Sequence, residues 1–225
     1  NRFEFRAVAS NQSIAGPLVA MNTIVADSLQ YAADKLEKAT KGNPKKLNAA
    51  VQILLKEIIT GHESVIFNGD GYSEEWHAEA KKRGLPNLKT TVDALPALTS
   101  KDVLSLFSKH KVLSRRELHS RQEIYLEQYV NTVSVESKLT VEMAKTIIYP
   151  AAVRYQSELA TAGAAMKAIG AKFSMGPLDE LTTLIDALQA NVKVLEKTMA
   201  HEAKTLLAEA KHVQAKILPA MLSVR

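Results

Sequence analysis

The chain has 225 residues, of which 46% are hydrophobic and 5% aromatic, a composition that allows a sizeable core and favours a mainly α-helical fold over a β-sandwich or barrel. Because the chain contains no cysteine, disulfides, thiolate metal sites and cysteine nucleophiles are excluded, and a reducing, cytoplasmic location is expected. The net charge of +5 is spread over short basic clusters among acidic residues, so we expect no nucleic-acid partner.

The first predicted element is a β-strand at RFEFR, near the start of the chain. Alternation along a strand puts Phe3 and Phe5 on one face and Arg2, Glu4 and Arg6 on the other. Two interpretations fit this charged face. It is either an exposed ladder of charges or a site in which the carboxylate binds a divalent cation and the arginines bind phosphoryl or carboxylate oxygens.

Two helices are predicted next, from residue 17 to 40 and from residue 44 to 60, because apolar side chains recur there at helical spacing. Pro17 suits the first turn of the first helix, and Gly42 suits its C-terminal cap. Polar residues interrupt the apolar stretch at the start of that helix. It is therefore too polar to span a bilayer, and no membrane partner is expected.

The middle of the chain is predicted to hold a loop at GHESVIFNGDGYS and then several capped helices. One runs to residue 83, two short helices follow, and a longer one continues to about residue 131. Glu117 stands three residues after the N-cap of this last helix, as in a capping box. The predicted N-caps are Ser73, Thr90 or Thr91, Ser100 and Ser114.

Two long helices, over residues 135–170 and 177–222, are predicted to close the chain as an antiparallel hairpin. Pro150 should disturb the first of them. The second carries a heptad seam, in which the step from Met199 to Ala203 is interpreted as a stutter. The predicted fold is therefore mainly α, with one short N-terminal strand and a long C-terminal helical hairpin. The seam residues are Leu178, Leu181, Ile185, Leu188, Val192, Leu195 and Met199.

Longer stretches of the chain resemble a known enzyme family. RFEFRAVASNQSIAGPLVAMNTIVADSL is similar to the metal-and-substrate strand of glutamine synthetase and the helix that follows it. FNGDGYSEEWHAEAKKRGLPNLKTTVDALPAL, HSRQEIYLEQY and the two closing helices resemble the C-terminal part of the type III enzymes. The resemblance covers essentially all 225 residues.

The resemblance implies an activity and a set of site residues. The family joins ammonia to glutamate with ATP through γ-glutamyl phosphate, using Mg²⁺ or Mn²⁺. Glu4 matches the carboxylate that binds the nucleotide-side metal, and Arg6 matches the arginine that contacts the γ-carboxylate or phosphoryl group. Arg2 matches a basic residue near the ATP phosphates, although type III enzymes often have lysine there. Assembly as a homo-oligomer of stacked hexameric rings is also implied.

The resemblance suggests three regions: the active-site strand with two helices (1–60), a helical and loop part of the catalytic domain (61–133), and the type III C-terminal hairpin (134–225). The family's other metal ligands, adenine contacts and ammonia pocket should precede this chain. We therefore expect a C-terminal portion of a larger enzyme that is inactive by itself. The alternative interpretation is a helical module for oligomerisation or for docking a regulator.

Overall fold

A computed structural model describes residues 13–225 of the chain. The predicted strand, with Arg2, Glu4 and Arg6, lies outside the described residues. Within the described part the regular structure is helical, which confirms the mainly α fold. The α-helices of this part are α1 (Ala15–Thr40), α2 (Leu47–Gly61), α3 (Glu74–Lys82), α4 (Thr91–Ala94), α5 (Lys101–Lys109), α6 (Arg115–Met143), α7 (Tyr149–Ala168), α8 (Gly176–Met199), α9 (Leu206–His212) and α10 (Leu218–Val224).

The chain divides into two compact units. The first contains the described residues up to 90 together with 96–119, and the second contains 91–95 and 120–225. In the first unit α1 packs against α2 and α5. Its buried cluster consists of Leu104, Phe107 and Leu118, and Ala20 of α1 packs against it. The helix that follows the predicted strand is thus attached to a small hydrophobic core.

The first two helices occur close to where the sequence places them. α1 ends at Thr40, and the left-handed conformation begins one residue before the expected Gly42, at Lys41 with φ 51°. The Lys41 N–H donates to Glu37 O at 2.9 Å, which satisfies a terminal carbonyl. A 3₁₀ turn at Pro44–Lys46, capped by the Asn43 side chain, leads into α2.

Three of the predicted N-caps make the expected side-chain bonds. Ser73 Oγ accepts from the Trp76 N–H at 3.2 Å, and Ser100 Oγ accepts from the Val103 N–H at 3.4 Å. Ser114 forms the full capping box, because its Oγ accepts from the Glu117 N–H at 3.3 Å while Glu117 Oε2 accepts from the Ser114 N–H at 2.7 Å. These helix starts are therefore encoded locally.

Replacing Ser114 by alanine should lower the free energy of unfolding by about 1 kcal/mol, because the first turn of α6 loses a capping acceptor. Urea unfolding followed by circular dichroism measures the change. The matched control is Ser105→Ala at an exposed position inside α5, where a change within about 0.5 kcal/mol is expected. Equal losses in the two variants would contradict the assigned capping role.

The predicted end of the sixth helix near residue 131 is wrong. α6 continues to Met143 and is followed directly by a π-helical segment, Ala144–Ile148, and then by α7. Residues 131–135 contain neither glycine nor proline, and Val133 among them is buried in the core of the second unit. Tertiary packing therefore carries the helix through a stretch of modest intrinsic propensity.

Two prolines of the C-terminal helices, Pro150 and Pro219, follow a π-helical segment, whereas Pro177 lies in the first turn of α8. Pro150 comes after Ala144–Ile148, and Pro219 comes after Val213–Ile217. Proline has no N–H, and its ring clashes with the carbonyl four residues earlier, which here lies inside the π-helical segment. The wider turn relieves this conflict without ending the helix. The disturbance expected at Pro150 takes this form.

The prediction of one helix over residues 177–222 is wrong. α8 ends at Met199, and the chain reverses so that α10 packs against α8. Thr205 caps α9 by accepting from the Ala208 N–H at 3.2 Å, and Glu209 Oε2 accepts from the Ala203 N–H at 3.0 Å. The step interpreted as a stutter is therefore the point where the helix breaks.

The heptad seam of α8 faces the core of the second unit. Ile185, Val192 and Leu195 are buried there, and α8 packs against both α7 and α10. The seam thus finds its partners within the same chain. The buried cluster around it contains Val133, Leu195, Val213, Ile217 and Ala220. None of the helices in the described part combines the length and hydrophobicity of a membrane span.

Candidate functional site

The three residues predicted to carry chemistry, Arg2, Glu4 and Arg6, lie outside the described residues, and their roles remain predictions. The structure does show the contacts of α1, the helix that follows these three residues in the chain. No group of three or more His, Asp or Glu side chains within this part is arranged to hold a metal ion.

The helix after the predicted strand is held by two charged contacts within the first unit. Asp27 on α1 receives Lys109 Nζ at 2.5 Å and lies 2.9 Å from His110 Nε2, both at the end of α5. Further along α1, Lys35 Nζ lies 2.7 Å from Glu57 Oε1 on α2. These contacts connect α1 to α5 and to α2, in addition to the packing of Ala20 against the buried cluster of the first unit.

The contacts of Asp27 also set its acid–base behaviour. The hydrogen bond from Lys109, and next that from His110, hold the pKa of the Asp27 carboxyl below its usual range. A carboxyl whose pKa is lower in the folded chain stabilises the fold above its unfolded pKa, near 3.9. This contribution is lost as the pH falls through the lower, folded value.

As the pH falls below about 4, the first unit should therefore lose the part of its free energy of unfolding that the ionised Asp27 carboxylate contributes. Asp27→Asn should flatten this acid dependence, because the amide cannot change charge. Thermal unfolding measured from pH 2 to pH 7 gives the comparison. Asp34→Asn, at an exposed position on the same helix, serves as the control. An unchanged slope for Asp27→Asn would show that the ion contacts do not act on the fold.

A second group of contacts, made by aromatic rings and an arginine, lies in the segment from the GHESVIFNGDGYS loop to the end of α3. The rings of Phe67 and Trp76 stack with centroids 4.1 Å apart and an angle of 20° between planes. The guanidinium of Arg83 lies 5.4 Å from the centre of the Trp76 ring. Gly69 lies directly against the Phe67 ring, since a Cβ there would come within 2.6 Å of Phe67 Cζ.

Arg83 connects this stack to the backbone of the loop. Its Nη1 donates to Ile66 O at 2.9 Å and to Ser64 O at 3.4 Å, while its Nε donates to Glu79 Oε1 at 2.7 Å. The same guanidinium holds the pKa of the Glu79 carboxyl below its usual range. One planar cation thus ties the loop to α3, a geometry that lysine does not reproduce.

The end of the loop is also ordered by its own side chains. Asp70 Oδ1 accepts from the Tyr72 N–H at 2.9 Å, which forms an Asx turn ahead of the Ser73 cap. Tyr72 is 81% exposed at the tip. A structured loop that presents an exposed aromatic ring is suited to contact another part of a larger protein or a ligand.

The sequence alone assigns no role to Arg83, because a basic run such as Lys81-Lys82-Arg83 is most often a solvated charged face. Two signals in the sequence point to it. Glu79 stands four residues before Arg83 on the same helix, and the chain's single tryptophan, Trp76, stands seven residues before it. Both spacings place the partner side chains on one face of α3.

Comparisons with known proteins identify the family. The model of the glutamine synthetase C-terminal domain matches residues 50–167. The type-3 glutamine synthetase of Dictyostelium discoideum is 34% identical over 160 residues, which is 71% of this chain and 22% of that protein.

Two bacterial relatives give the same result. A glutamine synthetase of Bacteroides fragilis is 34% identical over 159 residues, 71% of this chain and 22% of the relative. A glutamine synthetase of Butyrivibrio fibrisolvens is 33% identical over 114 residues, 51% of this chain and 16% of the relative. The chain thus spans about a fifth of the length of the relatives it matches. The segment of Trp76 and Arg83 lies inside the matched region.

Proposed function

The chain belongs to the glutamine synthetase C-terminal domain family, and we propose that it forms the C-terminal part of a type III, ATP-dependent glutamate–ammonia ligase. The observation that supports this proposal most strongly is the family match over residues 50–167, which includes the anchored loop and α3. In the full-length protein this part would supply one wall of the active site together with the helices that hold it.

The proposed reaction has two steps. The γ-carboxylate of glutamate attacks the γ-phosphorus of ATP, which releases ADP and forms γ-glutamyl phosphate. Ammonia then attacks the acyl carbon, loses a proton, and phosphate leaves with the C–O electron pair. Both steps depend on positioning and on neutralising negative charge rather than on a protein nucleophile.

The residues of the predicted strand fit this chemistry. Arg6 would bind the γ-carboxylate and the transferred phosphoryl group through its two parallel N–H donors, and Arg2 would lie near the ATP phosphates. Glu4 offers the hard carboxylate oxygen that Mg²⁺ or Mn²⁺ prefers, and the ion would neutralise charge on the phosphate oxygens. A strand holds such groups more rigidly than a loop does.

The described helices would support that strand from behind. α1 begins nine residues after Arg6, and its contacts through Asp27 to α5 and through Lys35 to α2 limit its movement. We propose that these contacts help to keep the strand in register with the rest of the active site. We further propose a cytoplasmic enzyme that assembles as a homo-oligomer of stacked rings.

The experiment compares the full-length protein with the isolated 225-residue chain. The full-length protein should form glutamine only when glutamate, ammonia, ATP and a divalent cation are all present. The isolated chain should form none, because one carboxylate and two arginines do not complete the site. Glutamine is measured by chromatography and ADP by a coupled assay. Synthesis by the isolated chain would overturn the proposed division of the site.

A further inference from the structure

An exposed apolar stripe runs along α6 and the π-helical segment in the second unit. It consists of Val135, Leu139, Met143 and Ile147, which we call the 135–147 stripe. Each of its side chains is between 49% and 57% exposed. The residues recur at intervals of four, so they form one continuous ridge along the helix surface. Contiguous apolar surface of this kind marks an interaction site more often than isolated exposed residues do.

The stripe lies away from the face of α6 that packs inside the second unit. Val133, Ser137 and Ala144 are buried on that other face, and Val133 joins the core cluster around Leu195. The helix thus has one face that is filled by its own chain and one apolar face that the described residues leave exposed.

Two charges flank the stripe on the same side. Helical spacing places Lys138 and Glu142 one turn apart along one border, and both side chains are exposed. Neither has an ion-pair partner among the described residues. This border therefore carries a positive charge at Lys138 and a negative charge one turn later at Glu142, near the middle of the stripe.

We propose that the 135–147 stripe binds the same stripe of a second copy of this chain in an antiparallel, two-fold related contact. In this arrangement Leu139 lies opposite Met143 of the partner subunit, and Val135 lies opposite Ile147 of the partner subunit.

The charges favour a second copy in this orientation. A two-fold axis across the stripe brings the charged border of one helix against the charged border of the other. Lys138 then faces Glu142 of the partner subunit, and the symmetry repeats the pair. Antiparallel helices also place opposite ends of their dipoles together. The proposal depends on the exposure and charge of α6 and does not depend on the proposed reaction.

Cysteine cross-linking in the full-length protein tests the register. Because these 225 residues contain no cysteine, Leu139→Cys and Met143→Cys each introduce a single thiol into the segment. Two differently tagged copies, one with each substitution, are expressed together and oxidised, and the linked peptides are identified by mass spectrometry. Ile124→Cys, at an exposed position of the same helix outside the register, is the control.

The expected result is a mixed disulfide between residues 139 and 143 that exceeds both same-residue disulfides, and no link through residue 124. Predominant 139–139 and 143–143 links would indicate a parallel contact and overturn the proposal. A second contrary outcome is the absence of any link while the thiol at position 139 is protected from maleimide. It would show that another part of the protein covers the stripe, and it also overturns the proposal. Absence of any link with that thiol open to maleimide would show that the stripe has no partner, and it overturns the proposal as well.

Charge reversal tests the flanking pairs. Lys138→Glu and Glu142→Lys should each lower the yield of the 139–143 disulfide by about two- to tenfold, because each places like charges face to face. The double variant should restore the yield, since it rebuilds both pairs with their signs exchanged. Equal yields in all four proteins would overturn the antiparallel contact. Glutamine synthesis is assayed separately, so failure of this proposal and failure of the proposed function are distinguishable.

Discussion

Replacing Glu4 by glutamine in the full-length protein is expected to lower the rate of glutamine formation by about 10²–10³-fold. Glutamine keeps the size of the side chain but removes the charge with which the carboxylate would bind the metal ion. The loss should be largest at limiting Mg²⁺ and smaller when the metal is in excess. Initial rates are measured over a range of Mg²⁺ concentrations at saturating ATP and glutamate.

The matched control for this substitution is Glu180→Gln, at an exposed position of α8, which should leave the rate unchanged. Circular dichroism and thermal unfolding of both variants should equal those of the parent protein, because the substitution is isosteric. A Glu4→Gln protein with full activity at limiting Mg²⁺ would show that Glu4 is not a metal ligand.

Replacing Leu195 by alanine is expected to cost about 2–5 kcal/mol of stability. Leu195 is fully buried on α8 and packs in the cluster that contains Val133, Val213 and Ile217. The substitution removes apolar contacts from α6, α8 and the segment before α10 together, and it leaves a cavity among them. Urea unfolding of the chain, followed by circular dichroism at 222 nm, measures the loss.

Val194→Ala is the control, because the neighbouring side chain is 55% exposed and its truncation should change stability by no more than about 0.5 kcal/mol. The comparison isolates burial from helix propensity, since both substitutions introduce alanine in the same turn. Similar losses for the two variants would contradict the assignment of Leu195 to the core of the second unit.

Local signals in the sequence account for the parts of the fold that were predicted correctly. The caps at Ser73, Ser100 and Ser114 depend on side-chain bonds to residues three positions away, so they can be identified without knowledge of the fold. The apolar face of α8 was found for the same reason, because its period is a property of the helix itself.

The errors in the predicted fold arise where distant contacts decide the structure. α6 continues past residue 131 because Val133 is buried against residues some 60 to 90 positions later. α8 ends at Met199 because the following segment folds back onto it, with Glu209 accepting from the Ala203 N–H. A shift of heptad phase in the sequence is compatible with both a continuous helix and a reversal, and only tertiary packing distinguishes them.

The candidate site was predictable to a different degree. The charged strand gave an ambiguous pattern, and the resemblance of the following residues to a family gave it a specific interpretation. The anchoring of the loop by Arg83 was not predicted, because a basic run at a helix end is usually solvated. Its acceptors, Ser64 O and Ile66 O, are backbone atoms 19 and 17 residues away, and residue types do not reveal such contacts.

The most direct test of the proposed function follows an oxygen atom through the reaction of the full-length protein. Glutamate labelled with ¹⁸O in its γ-carboxylate is supplied with ATP, ammonia and Mg²⁺, and the products are analysed by mass spectrometry. Formation of γ-glutamyl phosphate predicts one ¹⁸O atom in inorganic phosphate for each glutamine formed. Absence of glutamine, or release of unlabelled phosphate with glutamine, would contradict the assignment of this chain to a ligase that acts through an acyl phosphate.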